Sequence, residues 1–477
     1  MSKFLNSTCR RLSLPEGADQ RSICLEFGSV SLESRPRART AWLFAAVVAA
    51  CAANIPATTF GAPDRLHRAT SATINKLAVP SYRSTGLDVE RSEGLQRTAK
   101  ADRSAVSRTY PTPDLEPVDV ALRSNGTVRL ERMPQFSTTF AGKVAGVTPR
   151  NDFVFYSLDP DLQRFTSDLL AKSRAPHIAV VAMEPDTGKI LAIADKSNSI
   201  RDLSLHTGFP AASIFKIVTT AAALERSSVA PSSQIRFRGG NYTLNQWNYN
   251  PSTKKDRRSM SFYEALAKSC NPVFARVALK YLNPAVLREY ADLFAFGTAL
   301  GFDSHLPVSS AVIPESDFEL SRTAAGFGQV TLSPVHAATM MAGIANDGVL
   351  PRPSLVERVV SRTGAVVYQS RPTFVQRLVR SDTADSLMRM MEYTTTIGTS
   401  RREFMRKNRP VLGEIRVAAK TGTLRGDNPT GINNWFVAAA PLEEPRIALS
   451  VIVVNPQTAD TKASHIGRLI IQKYLSR

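Results

Sequence analysis

Ser213 and Lys216, three residues apart in Phe209-Pro-Ala-Ala-Ser213-Ile-Phe-Lys216, are the side chains best spaced to do chemistry. Pro210 is preset for a first helical turn, and the Ala, Ile and Leu residues after it favour continuing the helix. Ser213 then falls in that first turn, where backbone N–H groups point out unpaired, and Lys216 shares its face. A lysine ammonium that is partly desolvated can lose its proton and act as a base. A serine nucleophile can be built this way without histidine. The spacing alone is a weak signal, because Ser252-Thr-Lys-Lys255 repeats it in a polar stretch with no apolar helix behind it.

Two further groupings lie downstream. Ser269-Cys270-Asn271 sits inside a helical run from Phe262 to Leu282, and Pro272 marks a turn between its two pieces. That turn would aim a hydroxyl and a carboxamide into a cleft, with Cys270 as a small packed residue between them. Lys420-Thr421-Gly422-Thr423 ends a strand that starts near Ile415. There Gly422 lets a ligand backbone approach closely, while Lys420, Thr421 and Thr423 can hold a carboxylate. Each grouping alone reads as structural. All three in this order, each on a suitable element, point to catalysis through the serine.

The elements that must position these groups follow from patterning. Leu158–Leu170 reads as an Asp/Pro-initiated amphipathic helix, and Ile178–Met183 with Ile190–Ala194 as a hairpin around Glu184-Pro-Asp-Thr-Gly188-Lys. A helical middle follows. Ile415–Ala419, Trp435–Ala439 and Ile447–Val454 are strand-like, and Ala463, Ile466, Leu469, Ile470 and Tyr474 mark the stripe of a closing helix. Hairpin, helices and terminal strands predict one α+β domain over residues 151–477, its sheet joining both ends of the segment. Residues 63–150, rich in Arg, Ser, Thr and Pro, read as a linker leading to a small β subdomain between Val118 and Val144.

Residues 1–62 hold a polar, Arg-containing segment and then the apolar run Ala41–Ala53, which has the length of a signal sequence's hydrophobic core. Export to the inner membrane or periplasm is expected, with the run as signal or anchor. Val48-Ala-Ala-Cys51 resembles a bacterial lipoprotein processing box. The plainer reading is a small residue in an Ala-rich stretch, and both stay open. The net charge of +19 invites nucleic acid, but zinc-finger spacing, RNA-recognition signatures and dense Lys/Arg helices are all missing from the sequence. A basic surface facing phospholipid or an acidic cell-wall polymer is the better reading. Four cysteines form no C-x-x-C pair, His177, His206 and His305 have no Asp at a triad spacing, and HExxH does not occur. Gly326-Phe-Gly328 lacks the third glycine of a dinucleotide site, so no cofactor and no metal is implied.

By these motifs, the segment from Phe153 to Arg477 resembles the transpeptidase domain of penicillin-binding proteins. Gly326-Phe-Gly-Gln-Val-Thr-Leu-Ser-Pro334, Gly398-Thr399 and Asn434-Trp-Phe-Val437 extend the similarity. The resemblance implies an antiparallel sheet flanked by helices, with a mainly helical subdomain. It also implies peptidoglycan stem peptides as substrate, β-lactams as acylating agents, and possession of D,D-transpeptidase or D,D-carboxypeptidase activity. Ser213 would attack the penultimate D-alanine carbonyl, Lys216 would take its proton, and Ser269 would pass one to the departing D-alanine. Asn271 would hold the substrate amide, and Lys420, Thr421 and Thr423 the terminal carboxylate. The N–H groups of Ser213 and Thr423 would form the oxyanion hole.

This sequence departs from the family where Ala212 replaces a frequent Gly and His336 a frequent Gln. Two other functions share the acylation step: a serine β-lactamase, and a non-catalytic β-lactam sensor or scaffold. Against the first, neither Glu289 nor Glu315 stands in a Glu-x-x-Leu-Asn segment, and Asn271 is polar where one lactamase class is apolar. Against the second, no four-helix membrane region or signalling domain accompanies the fold.

Overall fold

The computed structural model describes residues 114–457 and 461–476. The run at 41–53, Cys51 and the first half of the 63–150 stretch lie outside the described residues. Strands β1 (Glu116–Pro117), β2 (Lys143–Val147) and β3 (Phe153–Tyr156) precede helix α1 (Pro160–Ala171) and the hairpin β4 (His177–Met183) and β5 (Ile190–Ser197). Helix α2 (Lys216–Arg226) is followed by a second hairpin, β6 (Gln234–Phe237) and β7 (Arg258–Ser261), and by α3 (Phe262–Ala267) and α4 (Asn271–Tyr281). After α5 (Asp317–Ala324) and α6 (Pro334–Ala345) come β8 (Val356–Val360), β9 (Val366–Gln369) and α7 (Ser381–Thr396). The chain closes with β10 (Ala418–Asp427), β11 (Thr430–Ala440), β12 (Ile447–Asn455) and α8 (Ala463–Leu475).

The main sheet runs β10-β11-β12-β4-β5, antiparallel at every pairing, so the C-terminal strands meet the early hairpin across β12 and β4. Their near-continuous apolar sequence has a simple cause. Successive side chains point to opposite faces, and here both faces are covered. Ala179, Val181, Met183, Ala448, Ile452 and Val454 enter the larger core on the side of α2 and α6. Ile178, Val180, Ala182, Leu449, Val451 and Val453 enter a second core with Leu162 and Leu170 of α1 and Ile466 and Ile470 of α8. Asp159 caps α1 by accepting the Leu162 N–H at 2.9 Å, as its sequence predicts.

Helix α6 is buried almost all round, which fits its run of Ala, Met and Ile. His336 lies inside it, its Nε2 2.8 Å from the Phe294 carbonyl, and burial pushes its pKa down to about 4, so it stays neutral. A smaller sheet runs β1-β2-β3-β8-β9, with Thr139–Phe140 paired onto β2. It draws strands from both sides of residue 150. Among the described residues no helix is long and apolar enough to cross a membrane.

Candidate active site

Ser213 does not sit in the first turn of a continuous α-helix. It lies in a separate 3₁₀ turn, Ala212–Ile214, and α2 begins at Lys216 itself. Ala212 has φ +50°, a costly conformation for a residue with a Cβ, and the backbone around it is gripped from outside. The Ala211 N–H donates to the Val330 carbonyl at 2.9 Å, and the Leu332 N–H to the Phe209 carbonyl at 2.9 Å. Trp435 Nε1 donates to the Pro210 carbonyl at 2.9 Å. Gly326 packs so tightly that a Cβ there would come within 2.3 Å of the Ala212 oxygen. The turn is thus held by β11 and by the 326–332 segment.

Lys216, fully buried, donates to Ser213 Oγ at 2.9 Å and to Asn271 Oδ1 at 2.7 Å. A third bond goes to the Ala325 carbonyl. Burial, and then the charge of Lys420, hold its pKa well below lysine's ordinary range. Lys420, also fully buried, donates to Ser269 Oγ at 3.1 Å and to the Thr421 carbonyl at 2.8 Å, and burial lowers its pKa to about 7.

Between α3 and α4, Ser269 takes φ +55°, so the expected turn there is sharper than a proline alone would make it. Cys270 is buried, and burial raises its thiol pKa to about 11, which keeps it protonated and packed. Lys420–Thr423 is not at a strand end but inside the ten residues of β10, in register with Val437, Phe436, Trp435 and Asn434. The room that Gly422 leaves is taken by the protein. A Cβ there would meet Trp435 and Ala212 Cβ atoms at 3.2 and 3.3 Å, so this glycine lets the Ser213 turn lie against β10.

Ser213, Ser269, Asn271, Thr421 and Thr423 line one cleft of ≈ 480 Å³, with both lysines directly behind it. Tyr242, Ala325, Gly326, Phe327, Thr399, Asn434, Lys462 and Ser464 complete the lining. Thr399 and Thr421 share a hydrogen bond of 2.5 Å, and Asn434 Nδ2 donates to Thr423 Oγ1 at 3.1 Å while its Oδ1 accepts the Ala463 N–H at 2.9 Å. Tyr242, Lys462 and Ser464 carried no motif signal, because they come from loop and helix start rather than from a repeated spacing. Ser252, the second Ser-x-x-Lys, lies outside this lining and turns its N–H to Asp256 Oδ2 at 2.9 Å. His177 pairs with Ser197 Oγ and His206 with the Asn428 carbonyl, both outside the lining. Among the described residues no three His, Cys, Asp or Glu side chains converge to hold a metal.

A hydroxyl hydrogen-bonded to a lysine that burial drives toward its neutral form is equipped for acyl transfer through serine. The comparisons agree with that class. A family model described as the penicillin binding protein transpeptidase domain matches residues 178–472. The chain belongs to that family. Peptidoglycan D,D-transpeptidase PbpA of Mycolicibacterium smegmatis is 27% identical over 410 residues, covering 76% of this chain and 79% of that one. PbpA of Mycobacterium tuberculosis strain H37Rv is 27% identical over 429 residues, covering 77% and 84%. The ceftriaxone acyl-enzyme structure of M. tuberculosis penicillin-binding protein A superposes with TM-score 0.58 at 25% identity, over 69% of this chain and 81% of that one.

Proposed function

We propose that this protein is a peptidoglycan D,D-transpeptidase that works through an acyl-ester on Ser213. The observation that carries the assignment is the 2.9 Å contact between Ser213 Oγ and the fully buried Lys216 Nζ. Neutral Lys216 takes the hydroxyl proton as Oγ bonds to the carbonyl carbon of the penultimate D-alanine. The amide C–N bond then breaks, and the departing D-alanine amine takes a proton through Ser269, which Lys420 holds. Thr421 and Thr423 receive the terminal carboxylate with the Lys420 charge behind them. The oxyanion hole is formed by the N–H groups of Ser213 and Thr423. An amine from a neighbouring stem peptide, or water in the carboxypeptidase reaction, resolves the ester. β-Lactams enter the same step and stop there.

That last point separates this reading from a serine β-lactamase. Among the described residues, none that lines the cleft is a carboxylate that could activate water. Glu289 and Glu315 are instead tied on the surface to Arg226 and Arg288. A penicilloyl-enzyme lasting ~1 h corresponds to a barrier of roughly 22 kcal/mol. Fluorescent penicillin should therefore label the protein once, at Ser213, and the label should persist for minutes to hours. Ser213→Ala should take up none. An adduct mapped to Ser252 would sink the site, and sustained turnover of nitrocefin at several per second would make the protein a β-lactamase.

Such a substrate lies outside the cytoplasmic membrane, and the Arg-flanked apolar run at 41–53 suits export as signal or anchor. Alkaline phosphatase fused after Asp64 should be active; an inactive fusion would overturn the export reading.

A further inference from the structure

The long polar excursion between β6 and β7 is wound around a buried carboxylate. Asp256 is 5% exposed, and two arginines, Arg238 at 7% and Arg276 at 3%, close on it. Arg276 grips it with both forks, Nε to Oδ2 and Nη2 to Oδ1 at 3.1 Å each, and Arg238 Nη1 reaches Oδ1 at 2.9 Å. The remaining donors hold the loop's backbone. Arg276 Nη1 donates to the carbonyls of Asn248, at 3.0 Å, and Tyr249. Arg238 Nε donates to the Trp247 carbonyl at 2.8 Å, and its Nη1 to that of Asn250 at 3.1 Å.

The other end of this loop touches the proposed catalytic groups. The Asn241 carbonyl accepts the Asn271 backbone N–H at 2.7 Å, and the Tyr242 carbonyl accepts Asn271 Nδ2 at 2.7 Å. With its NH₂ committed to Tyr242, the amide of Asn271 must turn Oδ1 the other way, where it meets Lys216 Nζ at 2.7 Å. Arg276 and Asn271 are also on one helix, α4, so the loop is clamped at two points of the same rigid element. Buried charge is costly to desolvate, so two cations closed on one anion are weak evidence of a gain in stability.

We propose that Asp256, through Arg238 and Arg276, is a positioning residue for acylation: it fixes the 238–256 loop so that Asn241 and Tyr242 hold Asn271, which orients Lys216 toward Ser213. The inference rests on the acyl-enzyme reading above. Misplacing a catalytic group by about 1 Å from a distance can cost roughly 10²-fold in rate. Asp256→Asn keeps the shape and removes the charge. Arg238→Met leaves Asp256 paired one to one with Arg276, and serves where Asp256→Asn fails to fold.

The test is a double-mutant cycle on the second-order rate of acylation by fluorescent penicillin, with each change made alone and on Asn271→Ala, and thermal melting measured in parallel. Alone, either change should slow acylation by about 10- to 100-fold. On Asn271→Ala the same change should cost less than about threefold, because the group it acts through is gone. An equal loss in both backgrounds means a merely structural cluster and overturns the proposal, as does a wild-type rate in the single variants. If the wild-type protein takes no label at all, the acyl-enzyme reading itself has failed.

Discussion

The two lysines of the cleft are buried alike and are asked for opposite states. Lys216 must be neutral to take a proton, and burial, together with the charge of Lys420, lowers its pKa. Lys420 must be charged to attract a carboxylate, and burial alone lowers its pKa to about 7. As the pH rises, acylation should first increase as Lys216 loses its proton and then fall near 7 as Lys420 loses its own. The second-order rate constant reports these free-enzyme values. Lys420→Arg keeps its charge to far higher pH, so the falling limb should vanish even if the rate is lower throughout. A falling limb left unchanged in that variant would remove Lys420 from its role. The residue types and spacings of Ser213, Lys216, Ser269, Asn271 and Lys420 were legible in the sequence because short-range chain geometry brings each set together. Tyr242 and Lys462 were not, since a cleft wall gathered from distant loops leaves no periodic trace.

At the scale of elements, the 3₁₀ turn at Ser213 depends on a glycine more than one hundred residues away. Gly326 has φ +90°, and a Cβ there would lie 2.3 Å from the Ala212 oxygen, 2.5 Å from its carbonyl carbon and 2.9 Å from the Ser213 nitrogen. All three are backbone atoms, which cannot swing aside as a side chain would. Gly326→Ala should therefore displace the nucleophile and slow acylation by roughly 10²-fold. Gly413 makes the matched control. It also has positive φ, at +63°, but nothing lies within 4 Å of the added carbon. Gly413→Ala should cost ~1–2 kcal/mol of backbone strain in a denaturant melt and leave the acylation rate alone. Equal rates for the two variants would mean the Ser213 turn is not held by this contact. Sequence pattern located the elements well where a cap, an apolar run or an apolar stripe marked them, as in α1, β4 and α8 respectively. It placed Lys420–Thr423 at a strand end rather than within β10, because residues 424–427 carry no apolar alternation strong enough to extend the strand. Positive φ at Ala212 and Ser269 is invisible in composition, being imposed by tertiary contacts.

For the molecule as a whole, the question is where the folded unit that carries the cleft begins. The sequence places a boundary near 150, since periodic apolar segments are sparse before Phe153. The short strands ahead of it nevertheless contribute to the same core as the cleft's sheet. Val128, Leu130 and Val144 are at most 3% exposed and share the larger core with Val181, Ile452 and the buried face of α2. Strand β3 pairs with β2 through Ala145–Phe155, Gly146–Val154 and Val147–Phe153, and the Leu130 N–H donates to the Asp303 carbonyl at 2.7 Å. Cutting the chain at 150 removes these three buried aliphatic side chains at ~2 kcal/mol each, about 6 kcal/mol for them alone, before the buried Leu115 and Val118 or any lost hydrogen bond is counted. That is comparable with the entire stability of many domains. A fragment of residues 114–477 should thus unfold cooperatively in urea and label with penicillin. A fragment of residues 151–477 should have a midpoint lower by several molar, or no soluble folded state, because the loss rivals what urea itself removes at ~1–3 kcal/mol per molar. Equal midpoints for the two would show residues 114–150 to be an appendage and would put the boundary back at 150.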